Sequence, residues 1–278
     1  MRFKRFLTVT FLFLLIIASK TSAQFTPQEI VERPQWEKFL KNAKLIKDEQ
    51  PWGTKEAVTE PFRLTLEREG KIRQAIWKNA SGRIRGYLEN WRWEIAAYRL
   101  DKHLKLNMIP PTVERRFKGD RGSCQLMIDS RMSFMEKEIQ GLKVPEDKLM
   151  AWNHVVYLQR AFDNLIANDD RHGRNLRITE DWRLILIDHS RSFRTTKKLT
   201  KNLIYDEDNK AGPKLMKQLP RDFVEKLKAL DFERMHKIVD EYLTKKEINA
   251  VLLRRDLILA WLEKRISELG EGEVLYDR

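Results

Sequence analysis

The sequence has only one cysteine, Cys124, among its 278 residues. A single cysteine cannot form an intramolecular disulfide, and it excludes a zinc site built from several thiolates. The fold must therefore be held together by packing, for which the hydrophobic content of 42% is sufficient. Cys124 lies in the apolar run Cys124–Ile128, and we predict that it is a small core residue.

The sequence also lacks an apolar run of the ~20 residues that a membrane-spanning helix needs. The apolar stretch Phe6–Ala18 follows the basic Met1–Arg5 and precedes the small residues Thr21–Ala23. Because this order is typical of a signal peptide, we predict that residues 1–23 are removed and that the mature chain, beginning near Gln24, has no transmembrane helix. The expected location is secreted, periplasmic or in the lumen of the secretory pathway. An uncleaved membrane anchor is the alternative.

Acidic residues are in the minority, with 41 Asp and Glu against 54 Lys and Arg, a formal net charge of +13. This balance favours acidic or polyanionic partners. No DNA- or RNA-binding motif accompanies it, so a solvated basic surface without a specific partner is an equally good explanation. The sequence also lacks the Gly-x-Ser-x-Gly motif of many serine hydrolases.

The clearest chemical motif lies in residues 160–194. Asp170 precedes Asn175 with four residues between them, and Asp188 follows the apolar Ile185–Ile187. The residues between Asn175 and Asp188 are enough for one tight β-hairpin, which would bring its two ends together. Protein kinases use such an Asp for the acceptor hydroxyl, and such an Asn and a second Asp as ligands of a divalent cation. A polar loop without chemistry is the alternative.

Two residues nearer the N-terminus extend this pattern. Lys78 ends the second strand of a predicted hairpin over 62–78, and Glu94 lies in the first turns of a helix predicted over 89–104. In kinases, a strand-end lysine contacts the nucleotide phosphates, and a helix carboxylate fixes that lysine. Alone, each residue has an ordinary surface explanation, but five such residues occur here in kinase order. A Gly-x-Gly-x-x-Gly loop is missing, so the phosphates would not lie on a glycine-rich backbone.

The predicted fold is α+β, with two lobes as in protein kinases. After the signal peptide 1–23 we expect a leader helix in 24–54, centred on 35–46. Residues 55–130 are predicted to form a small antiparallel-sheet lobe with one helix, and residues 131–278 a mostly helical lobe. In the second lobe, we expect 132–144 to be irregular and 145–166 to be a long helix.

Several segments resemble the secretory-pathway kinases typified by the Golgi casein kinase and the xylosyl kinase of proteoglycan linkers. They are EIAAYRLD at 94–101 with IPPTV at 109–113, DRH at 170–172 and IDHSRSF at 187–193. The 170–172 loop is also similar to that of HipA-type and phosphatidylinositol kinases. The secretory kinases are rich in disulfides, unlike this chain, and the resemblance is weak from about residue 200 onward.

The resemblance implies roles for the matching residues. Lys78 would bind the phosphates of ATP, Glu94 would position Lys78, and Asp170 would be the catalytic aspartate. Asp188 would bind Mg²⁺ or Mn²⁺, and Asn175 matches the metal-binding Asn of kinases in general. The predicted function is an exported phosphotransferase that moves a phosphoryl group from ATP to a hydroxyl of a protein or glycan acceptor. A nucleotide-binding pseudokinase, a nucleotidyl-transferring relative and a basic polyanion-binding protein without catalysis are the alternatives.

Overall fold

A computed structural model of the chain describes residues 24–50, 60–205 and 216–278. The predicted signal peptide, residues 1–23, lies outside these ranges. No helix within them is both long and apolar enough to cross a membrane.

The described residues form an α+β fold with a sheet lobe followed by a helical lobe, as predicted. The strands are β1 Lys44–Glu49, β2 Phe62–Arg68, β3 Lys71–Lys78, β4 Ser81–Ile84, β5 Tyr87–Asn90, β6 Thr112–Phe117, β7 Asp120–Leu126, β8 Met132–Ser133, β9 Leu176–Ile178, β10 Leu184–Leu186, β11 Leu219–Pro220 and β12 Leu275–Tyr276. The α-helices are α1 Pro27–Asn42, α2 Trp91–Leu104, α3 Phe134–Ile139, α4 Leu149–Ile166, α5 Lys197–Lys201, α6 Arg221–Lys228, α7 Phe232–Val239, α8 Lys245–Leu269 and α9 Glu271–Val274.

The sheet lobe is built on a five-stranded antiparallel sheet with the strand order β1-β2-β3-β7-β6. Because successive strand residues point to opposite faces, Leu64 and Leu66 of β2 are buried while Thr65 between them is not. They pack with Trp77 and Cys124 in the core of this lobe. The predicted core position of Cys124 is therefore confirmed.

The leader differs from the prediction of a helix centred on 35–46. Helix α1 begins earlier, at Pro27, because Thr26 and Glu29 form a capping box there. It continues through Pro34 and ends at Asn42. The next residues, Lys44–Glu49, form β1 at the edge of the five-stranded sheet and pair with β2. A highly charged strand is common at such an edge, since it resists pairing with other chains.

Helix α1 contacts both lobes. The Arg33 guanidinium is buried, with Nη2 3.4 Å from Asp101 Oδ2 and Nη1 2.8 Å from Asn107 Oδ1. Glu29, one turn earlier, forms an ion pair with Arg183, which directly precedes β10 in the helical lobe. The leader helix thus joins the sheet lobe to the helical lobe.

Two further elements were not predicted. Strands β4 and β5 form a hairpin over residues 81–90, between β3 and α2. The segment 132–144, predicted to be irregular, contains β8 and the short helix α3. Helix α3 forms because Ser133 and Glu136 make a capping box, a local signal that a search for apolar periodicity does not detect.

The helical lobe is centred on α4 and α8, which pack together. Arg254 of α8 is buried, and it donates from Nε to Leu165 O at 2.8 Å and from Nη1 to Arg194 O at 2.8 Å. It therefore joins the end of α4 to the segment that follows Asp188. Between these points, β9 and β10 pair as the predicted hairpin, so Asn175 and Asp188 lie at the same end of it.

Candidate active site

Lys78 connects three elements of the fold. It is the last residue of β3, and its Nζ lies 2.9 Å from Glu94 Oε1 and 2.8 Å from Asp188 Oδ1. Burial alone would lower the pKa of Lys78, but the two carboxylates outweigh this effect and raise the pKa above its usual value. The ammonium group is therefore charged at any physiological pH. The predicted grouping of Lys78 with Glu94 and Asp188 is present in the structure.

Glu94 lies in the first turn of α2, which begins after the N-cap residue Asn90. Its Oε1 accepts a hydrogen bond from Lys78, and its Oε2 accepts one from the backbone N–H of His189 at 2.9 Å. Burial raises the pKa of Glu94, but the Lys78 charge and the neighbouring His189 side chain lower it by more, so that the net shift is downward. Both oxygens of the buried carboxylate are thus engaged, and Glu94 is held as an anion.

Asp188 follows β10 and adopts a left-handed backbone conformation, with φ of +59°. Such a φ is uncommon for residues other than glycine and is found often at functional sites. Its Oδ1 accepts from Lys78 Nζ at 2.8 Å and from Ser190 Oγ at 3.0 Å. Burial opposes ionisation, yet the Lys78 charge and these hydrogen bonds lower the pKa of Asp188. About 35% of the side chain stays exposed, so the carboxylate can still reach a ligand.

Asp170 and Asn175 share the loop that follows α4. Asp170 Oδ1 lies 3.0 Å from Arg191 Nη1, and 30% of its side chain is exposed. Burial raises the pKa of Asp170, with the Arg191 charge acting in the opposite direction. The Asn175 side chain is buried, and its Nδ2 donates to Asp170 O at 3.3 Å. This hydrogen bond uses only the nitrogen of the side-chain amide. The amide oxygen Oδ1 is the atom of Asn175 that could bind a cation.

Arg171 anchors this loop, and we did not single it out from the sequence. Its Nε and Nη2 lie 3.0 and 3.1 Å from the two oxygens of Asp163 in α4. Its Nη1 donates to the backbone oxygens of Asn175 at 3.1 Å and Ile187 at 2.6 Å. One guanidinium thus fixes the loop of Asp170 relative to the strand end that carries Asp188.

His189 is fully buried and lies next to Arg171 and Glu94. Its Nε2 lies 2.8 Å from Arg171 Nη2. Because a guanidinium can only donate, Nε2 is the acceptor and the ring is neutral. This agrees with a lowered pKa, caused first by burial and then by the Arg171 charge. Arg171 and His189 lie in the DRH and IDHSRSF segments of the resemblance, but the sequence does not indicate that they are buried or which atoms they contact, so it assigns them no role.

The donor atoms at this site fit a hard divalent cation. Carboxylate and amide oxygens are the ligands that Mg²⁺ prefers, and Mg²⁺ is usually held by one or two carboxylates together with substrate phosphates. Asp188 and Asn175 carry such oxygens just outside the two strands, at the open end of one hairpin. Within the described ranges there is no group of three or more His, Cys, Asp or Glu residues placed to hold a metal ion by themselves.

Comparison with known proteins places the chain in a structural class. No family model and no curated protein matches the sequence. Among solved structures, a hydra Fam20 protein solved with sugar matches with a TM-score of 0.61 and 17% identity, over 89% of this chain and 93% of that one. The Golgi casein kinase, solved with Mn and ADP bound, matches with a TM-score of 0.61 and 16% identity, over 92% of this chain and 82% of that one.

The described residues therefore have a two-lobed kinase-like fold. Within that class, the fold is similar to those of Fam20 and of the Golgi casein kinase, and the resemblance predicted from the sequence is confirmed at the level of the fold. At 16–17% identity the likeness defines the fold alone.

Proposed function

We propose that this protein is a phosphotransferase that moves the terminal phosphoryl group of ATP to a hydroxyl of a protein or glycan. The observation that supports this most strongly is the position of Lys78 Nζ, 2.9 Å from Glu94 and 2.8 Å from Asp188. A lysine at the end of a sheet strand, fixed by a helix carboxylate next to a metal-binding Asp, is the arrangement that kinases use on nucleotide phosphates. The left-handed backbone of Asp188, a conformation often found at functional sites, also supports the proposal.

Lys78 and Glu94 would bind and orient the nucleotide. Lys78 stays charged because the two carboxylates raise its pKa, so it can donate hydrogen bonds to phosphate oxygens. Glu94 would fix the position of the Lys78 ammonium group, because its own second oxygen is held by the backbone N–H of His189. The site thus offers a preorganised cation without a glycine-rich loop.

Asp188 and Asn175 would hold Mg²⁺ or Mn²⁺ together with the nucleotide. The bound cation would neutralise the negative charge that develops on the phosphates. The β9–β10 hairpin and Arg171 would hold these two ligands close together, because Arg171 donates hydrogen bonds to Asn175 O and Ile187 O.

Asp170 would orient the acceptor hydroxyl and accept its proton. Its carboxylate is partly exposed and is therefore accessible to an acceptor. Its backbone is fixed by Asn168, whose Oδ1 accepts from Asp170 N at 3.2 Å, and by Asn175. Positioning of this kind accounts for much of the rate gain in phosphoryl transfer, since the protein does little covalent chemistry.

The first test is thermal unfolding of the protein with and without ATP and Mg²⁺ or Mn²⁺. A ligand that binds only the folded state raises the midpoint by mass action. We expect a rise that requires the metal and that Asp188→Ala abolishes, with the exposed Asp277→Ala as the matched control. The absence of any rise, combined with salt-sensitive binding to heparin or nucleic acid, would instead favour a polyanion-binding protein.

A second assay separates transfer from binding and identifies the group transferred. ATP labelled on the γ-phosphate or on the α-phosphate is incubated with casein and with glycan acceptors, and the labelled products are followed. Incorporation of the γ label alone supports phosphoryl transfer. Incorporation of the α label would mean nucleotidyl transfer, and nucleotide binding without incorporation into any acceptor tested would favour a pseudokinase.

We also propose that the protein is exported and that residues 1–23 are removed. The support from the structure is that Phe25 is buried and donates from its backbone N–H to Asn107 O at 2.9 Å. The chain is thus bound to the sheet lobe directly after the proposed cleavage site. Mass spectrometry of the protein recovered outside the cytoplasm should find Gln24 at its N-terminus, and a retained Met1 would contradict the proposal.

A further inference from the structure

Arg191 lies three residues after Asp188 and contacts Asp170. Its Nη1 is 3.0 Å from Asp170 Oδ1, and its Nε is 2.5 Å from Glu89 Oε1. Only 13% of the side chain is exposed, although the Asp170 carboxylate that it contacts is 30% exposed. The guanidinium thus lies beside the one carboxylate of the site that would meet the acceptor.

The β4–β5 hairpin makes two contacts with Arg191 and a third with the preceding residue, Ser190. Glu89 is buried and pairs with Nε, while its second oxygen has no hydrogen-bond partner among the described residues. The ring of Tyr87 lies 3.9 Å from the guanidinium carbon. The backbone N–H of Asn90 donates to Ser190 O at 2.9 Å, next to Arg191. This hairpin lies in the chain between Lys78 and Glu94. It therefore connects Arg191 to the strand and the helix that carry those two residues.

The charges of the site show why a cation is needed beside Asp170. Two cations of the site form ion pairs with four carboxylates. Lys78 pairs with Glu94 and Asp188, and Arg191 pairs with Glu89 and Asp170. This cluster alone carries an excess of negative charge, and a triphosphate would add more. A terminal phosphoryl group that approaches Asp170 would therefore be repelled unless a neighbouring cation neutralised it.

A guanidinium is suited to this task. It presents five N–H donors in a planar fork that matches phosphate oxygens, and it is charged at every pH at which proteins fold. Lys78 is bound to Glu94 and Asp188, whereas Arg191 is bound to Asp170. The two cations thus lie at different carboxylates of the site, Lys78 at the proposed metal ligand Asp188 and Arg191 at Asp170, the proposed acceptor of the hydroxyl proton.

We propose that Arg191 is a catalytic residue that contacts the terminal phosphoryl group of the bound triphosphate, and that Glu89 and Tyr87 are its positioning residues. This inference rests on the proposed phosphoryl transfer.

When the triphosphate binds, Arg191 exchanges its contact with Asp170 for contacts with phosphoryl oxygens, which frees Asp170 for the hydroxyl. In the transfer, the hydroxyl oxygen forms a bond to the terminal phosphorus, and the bond from that phosphorus to the bridging oxygen breaks. The proton of the hydroxyl goes to Asp170, the nucleoside diphosphate leaves, and Arg191 keeps its protons.

A comparison of two nucleotides tests this without an acceptor. The affinities of the intact protein for ADP and for the non-hydrolysable triphosphate AMP-PNP are measured with Mg²⁺ by calorimetry. Arg191→Gln should weaken AMP-PNP binding by about ten- to a hundredfold, the value of a charge-assisted hydrogen bond, and leave ADP binding unchanged. Lys78→Met should weaken both nucleotides. Arg194→Gln, a partly exposed arginine in the same segment, is the matched control and should change neither.

Two further variants cover a failure of Arg191→Gln to fold. Arg191→Lys keeps the charge but not the fork, and Tyr87→Leu removes the ring at a half-exposed position. Each should weaken AMP-PNP binding several-fold and spare ADP. Equal losses for both nucleotides, or no loss, would overturn the inference and leave Arg191 as a neutralising partner of Glu89. If the unmodified protein binds neither nucleotide, the proposed function itself is wrong.

Discussion

Arg171 and Asp163 form a bidentate ion pair that is almost completely buried, with 1% and 0% of the two side chains exposed. Since both oxygens of Asp163 are bonded to this one guanidinium, removing Arg171 would leave a buried carboxylate with an unsatisfied charge. The pair also carries the hydrogen bonds that connect the loop of Asp170 to Ile187. Its loss should therefore affect both the stability of the fold and the geometry of the site.

We expect Arg171→Met to lower the free energy of unfolding by about 3–5 kcal/mol, the usual cost of removing one partner of a buried ion pair. Denaturant unfolding measures this change. The matched control is Arg278→Met, because Arg278 also makes a bidentate pair, at 2.8 and 3.0 Å from Asp222, but one that is partly exposed. That variant should lose less than about 1 kcal/mol. Equal losses would mean that burial of the Arg171 pair has no special effect.

Asp170→Asn should separate binding from transfer. The substitution keeps the size of the side chain, so the metal-dependent thermal shift with ATP should persist. The amide cannot accept the hydroxyl proton, and we expect the transfer rate to fall by about 10²–10⁴-fold, the usual contribution of a positioned acid or base. Asp169→Asn, at the neighbouring and more exposed aspartate, is the control and should keep its activity. Full activity of Asp170→Asn would remove this residue from the mechanism.

Gly122 allows β7 to pack closely against the end of β3. A Cβ at this position would lie 2.5 Å from Lys78 O and 2.6 Å from Trp77 Cε2. Gly122→Ala must therefore displace Lys78 or Trp77. We expect the free energy of unfolding to fall by about 1–3 kcal/mol, as in other overpacked cores. The thermal shift with ATP should fall as well. Gly272→Ala has open space around its Cβ and a permitted backbone, so it should leave both measurements nearly unchanged.

The stability of the protein should depend on Asp188 in a pH-dependent way. The pKa of Asp188 in the folded state is lowered from the usual 3.8, so the unfolded state binds more protons as the pH falls toward and below that value. The stabilising effect of the carboxylate is then present above about pH 4 and is lost at lower pH. Unfolding of the wild type and of Asp188→Asn between pH 3 and 7 should show a difference in stability that grows with pH. A difference that is constant over this range would contradict the lowered pKa.

The parts of the fold that follow sequence periodicity were predicted well. The β2–β3 hairpin, helix α2 and the β9–β10 hairpin have alternating or helical apolar patterns, and they lie where expected. The start of α1 was missed because Pro34 suggested a boundary, whereas the Thr26 capping box outweighs one internal proline. Strand β1 was missed because an edge strand can carry charges on both faces.

Only those residues of the candidate site that lie at a recognisable strand or helix end could be predicted from the sequence. Lys78, Glu94 and Asp188 lie at strand or helix ends, and their order in the chain suggested a grouping that the structure contains. Their roles, and those of Asp170 and Asn175, stay a prediction. Arg171 and Arg191 lie in the DRH and IDHSRSF segments that resemble the secretory-pathway kinases, but only their burial and their contacts across the fold indicate a role for either side chain.

The contacts of helix α1 have a consequence for the order in which the chain folds. The partner of Arg33, Asp101, is 68 residues away, and the partner of Glu29, Arg183, is 154 residues away. Contacts between such distant residues close large loops and form slowly. Helix α1 is synthesised before Asp101 and Arg183, and it cannot make all of its native contacts until residue 183 has been synthesised. The helix is therefore synthesised early but completes its contacts late. A nascent chain stalled before residue 183 would lack the Glu29–Arg183 ion pair, by which this helix contacts the helical lobe.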